Sequence, residues 1–334
     1  MIDTISRAAL PPHIAHEPSV SVVICTYSGA RFEDLRQAVD SVAQQTYPAL
    51  ETIVVVDHDA ALLERVRAEF PGVVAIENTG AQGLSDARNT GLSLARGEIV
   101  AFLDDDAAAA RDWLELIAPV YADQRVLGVG GSIDAAWQRR PRWFPSEFEW
   151  VVGCTYRGMP VSRARVRNIV GANMSFRRAV FDQAGAFRTG IGRVGTKPIG
   201  CEETEFCIRA ARRYPYGTIV YEPLARVSHR VPSTRSRWRY FLARCYAEGL
   251  SKAQVAEAAG AGRALATERA YVSRTLPLGF LGGLAAAATL RDAAGALRSA
   301  AIAAGLLTTT AGFCVGQLKR ALAPTRLLGK GAPA

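Results

Sequence analysis

The sequence of 334 residues lacks the two commonest phosphate-binding turns. It has no GxGxxG turn after its first apolar run and no GxxxxGK[ST] loop. The first turn is typical of dinucleotide-binding proteins and the second of P-loop NTPases. Their absence argues against a dehydrogenase and against a P-loop NTPase, so any nucleotide must be bound by other residues.

The sequence also has no CxxC pair of cysteines and no pattern typical of a signal peptide. The six cysteines are dispersed, and none forms a CxxC pair. A chain of this length needs no disulfide framework, and we expect reduced thiols in a cytosolic setting, with Cys25 in a strand. Residues 1–18 have no basic region followed by an apolar one, so we predict a lead-in segment and no signal peptide.

Basic residues are scarce in the first part of the chain, and acidic residues are scarce in the second. Residues 1–138 carry 9 Lys and Arg against 20 Asp and Glu, a net charge of −11. Residues 139–334 carry 31 against 11, a net charge of +20, which gives +9 for the whole chain. A basic surface suits nucleic acid, an anionic membrane or a diphosphate, so the two parts are expected to have different roles.

Apolar runs and helical stretches alternate along the first hundred residues. The predicted strands are residues 19–27, 47–57, 72–78 and 98–104, and the predicted helices are residues 32–45, 61–70 and 83–97. Short β-branched runs of this kind are typical of buried parallel strands. The alternation predicts an α/β fold, a Rossmann-like and mostly parallel sheet flanked by helices.

Three adjacent carboxylates follow the fourth predicted strand, in the stretch AFLDDDAAAARDWL. One or two of Asp104, Asp105 and Asp106, the aspartate triplet, would suit a turn or a helix start. Three favour a divalent cation, Mg²⁺ or Mn²⁺, because hard cations take carboxylate oxygens. Thr26 and Asp57 end two other predicted strands, and ligands bind beyond the carboxyl ends of such strands, so we expect one shared crevice.

The second part of the chain predicts a mixture of elements. These are a strand at 126–134 with a glycine-rich bend, an aromatic and basic loop at 138–150, a strand and helix within 168–187, a helix at 200–214, a strand pair at 217–231 and a basic amphipathic helix at 237–259.

The C-terminal part contains two apolar stretches. Residues 299–318 are twenty residues without a charge, and Lys319 and Arg320 follow them, whereas residues 276–290 are too short to span a bilayer comfortably. One membrane span, an interfacial helix pair and a buried hairpin are all compatible with this pattern. We predict an interfacial, membrane-associated extension, because basic residues flank both sides.

Seven motifs occur in order between Ser19 and Arg244. They are VVICTYS, VVVD, GLSDARNTGL, FLDDDA, GANMSFRR, CEETEFCIR and VSHRV. With these motifs the chain resembles the family 2 glycosyltransferases, which have the GT-A fold. The run RYFLARCYAEGLSKA is similar to the subgroup that acts on polyprenyl- or dolichyl-phosphate-linked sugars, including glucuronosyl transfer.

The resemblance implies an inverting, metal-dependent transfer of a sugar. The donor would be a nucleoside diphosphate sugar, with a UDP-sugar favoured. The acceptor would be a hydroxyl group of a lipid-linked or polysaccharide molecule, at the cytoplasmic face of the cell membrane. The basic half of the chain agrees with this expectation, because a lipid-linked diphosphate and a membrane surface are both anionic.

Metal and catalytic roles also follow from the resemblance. It implies that Asp106 binds the divalent cation, Mg²⁺ or Mn²⁺, with His229 as a further ligand, and that Asp104 and Asp105 lie on the nucleotide side. It assigns the general base to Glu203. Taken alone, His229 could be a buried core histidine, and the acidic residues beside Glu203 could only favour the dipole of a helix start.

Nucleotide contacts are implied at the first two strands and the third helix. The resemblance places Asp57 against the base with Thr26 near it, and Asp86 and Arg88 against the base and the diphosphate. The family's second strand usually ends in an Asp-Asp-Gly-Ser type of turn, whereas residues 57–60 read Asp-His-Asp-Ala, which leaves the identity of the base open.

The predicted organisation separates donor and acceptor functions. Trp238 and Arg244, on the basic helix, are predicted to contact the phosphate of the acceptor. The predicted segments are a lead-in at 1–18, a GT-A domain at 19–235, a basic helical region at 236–275, an apolar membrane-associated segment at 276–320 and a basic tail at 321–334.

Three other functions compete with this prediction. A non-catalytic sugar-nucleotide-binding scaffold would need no base, and a nucleotidyltransferase would also use aspartates and a metal. A nucleic-acid binder is suggested by Trp137, Trp143, Phe144, Phe148 and Trp150 interleaved with arginines, as in stacking surfaces. We predict no nucleic acid, because an acidic crevice repels it.

Overall fold

The computed structural model describes residues 17–190, 200–259, 269–290 and 292–322. Most of the predicted lead-in, most of the predicted basic tail and part of the predicted 236–275 region therefore lie outside the described residues.

The first four strands form the parallel frame that the sequence predicts. They are β1 (Val20–Thr26), β2 (Glu51–Val56), β3 (Val74–Glu77) and β4 (Ile99–Asp104), and the helices between them are α1 (Phe32–Ala43), α2 (Ala60–Glu69) and α3 (Leu84–Leu94). They pair in the order β3-β2-β1-β4, all parallel. Helices cover both faces, so β1 and β4 are buried almost throughout, which explains their apolar sequences.

The later strands extend this frame into a mixed sheet. They are β5 (Ala107–Ala109), β6 (Val126–Trp137), β7 (Ala164–Val166), β8 (Asn173–Arg177) and β9 (Thr218–Val231), with α4 (Trp113–Ile117), α5 (Arg178–Ala184) and α6 (Glu202–Arg213). The sheet order is β3-β2-β1-β4-β8-β6-β9-β5, with β7 beside β9. Ala107 lies opposite His229 in the pairing of β5 with β9. This register brings His229 to the aspartate triplet, which ends just before Ala107.

The predicted strand pair at 217–231 is wrong, because β9 is one strand with an irregularity in its middle. Gly131 pairs with Glu222, but the next residue of β6, Ser132, pairs with Arg226, so residues 223–225 leave the ladder. Pro223 has no N–H to donate to a neighbouring strand, and the Ser132 hydroxyl donates to its carbonyl at 2.8 Å. A Cβ on Gly131 would lie 1.8 Å from the carbonyl oxygen of Ala225, so only glycine fits there.

The aromatic and basic stretch at 138–150 belongs to a core. Residues Ser146–Val152 form a 3-10 helix, so the predicted loop ends in an element. Phe144 and Phe148 are buried, and their ring centroids lie 5.5 and 5.4 Å from that of Phe241. The rings of Phe144 and Phe148 are therefore unavailable for stacking on bases, whereas Trp137, Trp143 and Trp150 are half-buried.

In the described residues of the C-terminal part, the long helices are α7 (Trp238–Ala259), α8 (Leu276–Ala288) and α9 (Gly295–Ala321), and a short π-helix at Tyr271–Thr275 leads into α8. α8 and α9 form a hairpin in which the Ser299 hydroxyl of α9 donates to the Phe280 carbonyl of α8 at 2.7 Å. α7 lies between the α/β unit and α9, since Ser251 Oγ is 3.4 Å from the Gly200 amide and Gly249 abuts Thr309. The predicted basic helix is thus packed on two sides.

The hairpin presents an apolar outer surface. Among the described residues, α9 is the one helix whose length and composition would allow it to cross a membrane. Its inner face is packed along its length, with Gly305 against Phe148 and Gly312 against the carbonyl of Tyr246. Several leucines of the hairpin are exposed instead: Leu278, Leu281, Leu297, Leu307 and Leu318. The hairpin therefore has one protein-facing side and one exposed apolar side.

Close packing of α7 on α9 requires glycine at position 249. A Cβ there would lie 2.1 Å from the Thr309 carbonyl oxygen, which is backbone and cannot move aside. We expect Gly249→Ala to lower the free energy of unfolding by about 1–3 kcal/mol, as overpacking does, although alanine is the better helix former. Thermal unfolding in detergent would measure this loss.

Gly282→Ala, in α8, is the matched control for that substitution. A Cβ at Gly282 would have no neighbour within 4 Å, so this variant should unfold at the wild-type temperature or above it. Equal melting temperatures for Gly249→Ala and wild type would show that α7 and α9 are not so tightly packed.

Candidate active site

The aspartate triplet lies at the end of β4, and two of its members are buried. The Thr26 hydroxyl, at the end of β1, donates to Asp105 Oδ2 at 2.8 Å. Arg31, which precedes α1, reaches Asp105 Oδ1 at 3.0 Å and also contacts Asp106. Arg235, in the turn after β9, lies 3.4 Å from Asp106 Oδ2. Buried carboxylates of this kind need cationic partners, and the fold supplies two arginines.

The two buried aspartates differ in protonation because their neighbours differ. Burial, opposed by Arg31, raises the pKa of Asp105 to about 7. Burial would raise the pKa of Asp106 too, but His229, Arg31 and Arg235 outweigh it and hold that pKa well below its ordinary value. Asp106 is therefore the buried member that keeps its negative charge at neutral pH.

A candidate metal-binding group is formed by Asp104, Asp106 and His229. Each offers one ligand atom, and these atoms lie within 4.8 Å of one another. His229 Nε2 is 3.1 Å from Asp106 Oδ1, and its Nδ1 is 3.6 Å from the Cys154 sulfur. Two carboxylates and an imidazole are a donor set that suits a divalent cation such as Mn²⁺, so these residues fit the implied metal.

Arg88 connects the strand ends with the start of α6. Its buried guanidinium donates to Glu202 Oε1 at 2.7 Å and to Asp104 Oδ1 at 3.3 Å. It also donates to the Gly171 carbonyl at 3.3 Å. One side chain therefore joins the metal-binding group to the first turn of α6.

A cavity of about 620 Å³ opens beside this group and contains the predicted base. Its lining includes Arg88, Asp104, His229, Glu202 and Glu203. Burial, and then the charge of Glu202, raise the pKa of Glu203 to about 8. Because Glu202 is engaged by Arg88, Glu203 is the carboxylate of this turn that is available to a ligand in the cavity.

Comparisons with known proteins decide the family. The family model of glycosyl transferase family 2 matches residues 21–185. The glucosyl-dolichyl phosphate glucuronosyltransferase of Haloferax volcanii is 38% identical over 238 residues, covering 70% of this chain and 76% of that protein. The chain belongs to glycosyltransferase family 2. It is therefore an enzyme that transfers a sugar, as its seven motifs predict.

A second relative and a solved structure are also similar to the chain. The succinoglycan biosynthesis protein ExoM of Rhizobium meliloti is 28% identical over 240 residues, covering 69% of this chain and 72% of that protein. The mannosyltransferase PcManGT of Pyrobaculum calidifontis was solved with GDP-Man and Mn²⁺. It matches with a TM-score of 0.53 at 21% identity, covering 88% of this chain and 87% of that chain. The predicted GT-A fold of the glycosyltransferase is confirmed.

Two of the residues predicted to contact the nucleotide, Asp57 and Asp86, lie on the β2 side of the crevice. Asp57 accepts hydrogen bonds from the Asn78 amide at 2.7 Å and from the Gly83 N–H at 2.9 Å, and so holds the loop that leads into α3. Asp86 packs beside Gly80, where an added Cβ would come within 2.6 Å of Asp86 Oδ1. Burial raises the pKa of Asp86. Both side chains are thus engaged in shaping this loop of the glycosyltransferase.

The two residues predicted for the acceptor are separated by the structure. Arg244 is buried in the cavity lining, on α7. Trp238, at the start of the same helix, is not among the residues that line the cavity. Its ring stacks on Phe241, with centroids 5.4 Å apart, and meets Trp143 edge-on at 4.8 Å. Trp238 thus packs at the edge of the aromatic core and is 40% exposed, and its contact with the acceptor stays a prediction.

Sequence reasoning missed several residues of the glycosyltransferase site. Arg31 and Arg235 contact the aspartate triplet, Glu202 holds Arg88, and Cys154 contacts His229. A buried acidic cluster signals that cations must be near, but it does not say which arginines. Arg31 and Arg235 are far apart in the chain and meet only because β1 and β9 end at the same edge of the sheet.

Proposed function

We propose that this glycosyltransferase transfers a sugar, with inversion and with a divalent cation, from a nucleoside diphosphate sugar to a saccharide hydroxyl of a lipid-phosphate acceptor. The observation that carries the proposal is that two members of the metal-binding group, Asp104 and His229, line one cavity with the Glu203 carboxylate. The relative from Haloferax volcanii is named for a glucosyl-dolichyl phosphate substrate, which supports the acceptor class.

Asp104, Asp106 and His229 would hold the divalent cation, Mn²⁺ or Mg²⁺. When bound, the ion neutralises negative charge that develops on the departing diphosphate. Arg31 and Arg235 both lie against Asp106 and add positive charge at the donor end. Two arginines fixed in place stabilise an anionic leaving group without reorganisation. We favour a UDP-sugar as the donor to test first.

Glu203 is the proposed general base. The acceptor oxygen attacks the anomeric carbon from the face opposite the diphosphate, so one carbon–oxygen bond forms as the bond to the diphosphate breaks. The hydroxyl proton passes to the Glu203 carboxylate. One base is enough for a direct inversion, and a pKa near 8 suits proton transfer close to neutral pH.

The proposed location is the cytoplasmic face of the cell membrane. The exposed leucines of the hairpin would enter the interface between headgroups and acyl chains. Lys319, exposed in the last turn of α9, would face anionic headgroups. Since the inner face of α9 packs on the protein along its length, a peripheral attachment fits the fold better than a free span.

Removal of the divalent cation is expected to stop the reaction. With a panel of nucleotide sugars, release of the nucleoside diphosphate should require Mn²⁺ or Mg²⁺ and fall at least about 100-fold in EDTA, because charge stabilisation by a metal contributes several kcal/mol. Adding Mn²⁺ back should restore the rate. Release that persists in EDTA would contradict the metal dependence.

The stereochemistry is tested on the product of the same reaction. The anomeric proton coupling in the NMR spectrum should show the configuration opposite to that of the donor. Retention of configuration would exclude a direct displacement assisted by Glu203 alone.

A further inference from the structure

Helix α7 turns a charged face towards the cavity. Arg244, Glu248 and Lys252 are spaced four residues apart, so they lie on one side of the helix, and all three line the cavity. Lys252 Nζ is 3.3 Å from Glu248 Oε1. Glu248 is thus ion-paired within this face. Two cationic side chains and one carboxylate give the face a net charge of +1.

This face lies between the proposed base and the hairpin. On one side, Glu248 Oε1 is 3.9 Å from the sulfur of Cys201, two residues before Glu203. On the other side, Gly249 abuts the Thr309 carbonyl of α9. A molecule that extends from Glu203 along α7 therefore arrives at the hairpin.

Part of the cavity lining is apolar. Leu306 and Phe313 of α9 line the cavity, together with Leu276 at the start of α8 and Val272 just before it. The neighbouring residue Leu307 points outwards and is 70% exposed, on the surface proposed to meet the membrane. The lining thus combines the carboxylates of Asp104 and Glu203 with apolar side chains of the hairpin.

We propose that the α7 face binds the phosphate of the acceptor, and that the apolar part of the cavity holds the first units of its lipid chain. This inference rests on the proposed function, and it names the residues that would bind the lipid-phosphate acceptor. Arg and Lys are the side chains that bind phosphate, and Arg165 and Arg167 add positive charge from the opposite wall.

The lining of this cavity offers a place for each part of such an acceptor. Its sugar hydroxyl would lie at Glu203, its phosphate at Arg244 and Lys252, and its chain against Leu306 and Phe313. A soluble polysaccharide has no group that would fill the apolar part of the lining next to the hairpin.

Binding of farnesyl phosphate to the full chain in detergent, measured by calorimetry, tests the proposal. Inorganic phosphate and farnesol serve as the two partial probes. Farnesyl phosphate should bind about tenfold or more tightly than either, because charge and apolar contacts are both needed. Binding of inorganic phosphate as tight as that of farnesyl phosphate would overturn the lipid passage, and tight binding of farnesol would overturn the phosphate site.

Three variants locate the site. Arg244→Gln and Lys252→Gln should each weaken farnesyl phosphate binding about tenfold and raise the KM for the acceptor more than that for the donor. Arg239→Gln, an exposed arginine of the same helix, is the matched control and should bind like wild type. Because Arg244 is buried, the half-buried Lys252 provides a second substitution with less risk to folding. Equal binding by all the variants would refute the assignment.

Failure of this inference can be told from failure of the proposed function. Mn²⁺-dependent binding of UDP, measured on the wild-type protein alone, reports the donor site without the acceptor. If UDP binds and farnesyl phosphate does not, the acceptor passage is wrong and the proposed donor chemistry stands. If UDP fails to bind while farnesyl phosphate binds, the passage stands and the UDP-sugar donor is wrong.

Discussion

Replacing Asp106 with asparagine is expected to lower kcat/KM by about 10³-fold or more, because the amide cannot supply the negative charge that the proposed metal and the leaving diphosphate require. Asp106 is the buried carboxylate whose pKa is held below its ordinary value. It is also the residue on which Arg31, Arg235 and His229 converge. The substitution thus removes the charge around which the donor end is built.

Two measurements separate a lost metal from a lost fold. Mn²⁺ affinity, followed by electron paramagnetic resonance, should fall with the transfer rate, while the circular dichroism spectrum should stay that of wild type. Asp182→Asn, which changes an exposed aspartate of α5, is the matched control and should leave affinity and rate unchanged. A D106N protein that binds Mn²⁺ and transfers sugar normally would rule out the proposed metal site.

Glu203→Gln is expected to lower kcat by about 10²- to 10⁴-fold with little change in the KM for the donor, because glutamine keeps the shape but cannot accept the proton. Glu202→Gln is the informative neighbour. Glu202 accepts a hydrogen bond from Arg88 at 2.7 Å, so its loss should disturb the donor side as well as the base. Equal losses of kcat for both variants, with equal pH profiles, would leave the base unassigned to Glu203.

The pH dependence of kcat/KM tests whether Glu203 is the general base. Only the carboxylate form of Glu203 accepts a proton, so kcat/KM should rise with pH and level off above about 8. In Glu202→Gln this rise should move to lower pH, because the charge of Glu202 helps to raise the pKa of Glu203. A profile that does not move would show that the two carboxylates are not coupled.

The raised pKa of Glu203 also makes the free energy of unfolding depend on pH. As the pH rises, activity should increase while this contribution to stability decreases. The folded protein binds the Glu203 proton more tightly than the unfolded chain does, because the pKa is raised from 4.5 to about 8. The contribution of Glu203 therefore becomes less favourable to folding as the pH rises through this range, and Glu203→Gln should be relatively more stable than wild type at its upper end.

Much of the frame could be predicted from the sequence because parallel strands covered on both faces are continuous apolar runs. The ends of β1, β2 and β4 were identifiable, and in such sheets these ends share one edge. That geometric rule is why Thr26 and the aspartate triplet could be placed together from their positions in the chain. The metal and catalytic roles of these residues stay predictions.

The parts that could not be predicted depend on contacts between distant segments. The course of β9 through the irregularity at residues 223–225 depends on its pairing with β6, and Pro223 alone suggests a break. In residues 138–150 the aromatic side chains lie close to arginines in the sequence, a pattern typical of an exposed surface. They become part of a core only because α7 and the hairpin pack against them. Arg31 and Arg235 belong to none of the seven motifs, so the sequence does not mark them as site residues.

The aromatic core has a consequence for how the protein folds. Phe148 and Phe241 are buried in one cluster with Leu276 of α8 and Ile302 of α9. The hairpin therefore closes a core that the α/β unit cannot close alone, and the two should unfold in one cooperative transition. A shortened chain ending before Leu276 would leave these rings in water and aggregate, so the membrane-side hairpin is part of the folding unit and not a detachable anchor.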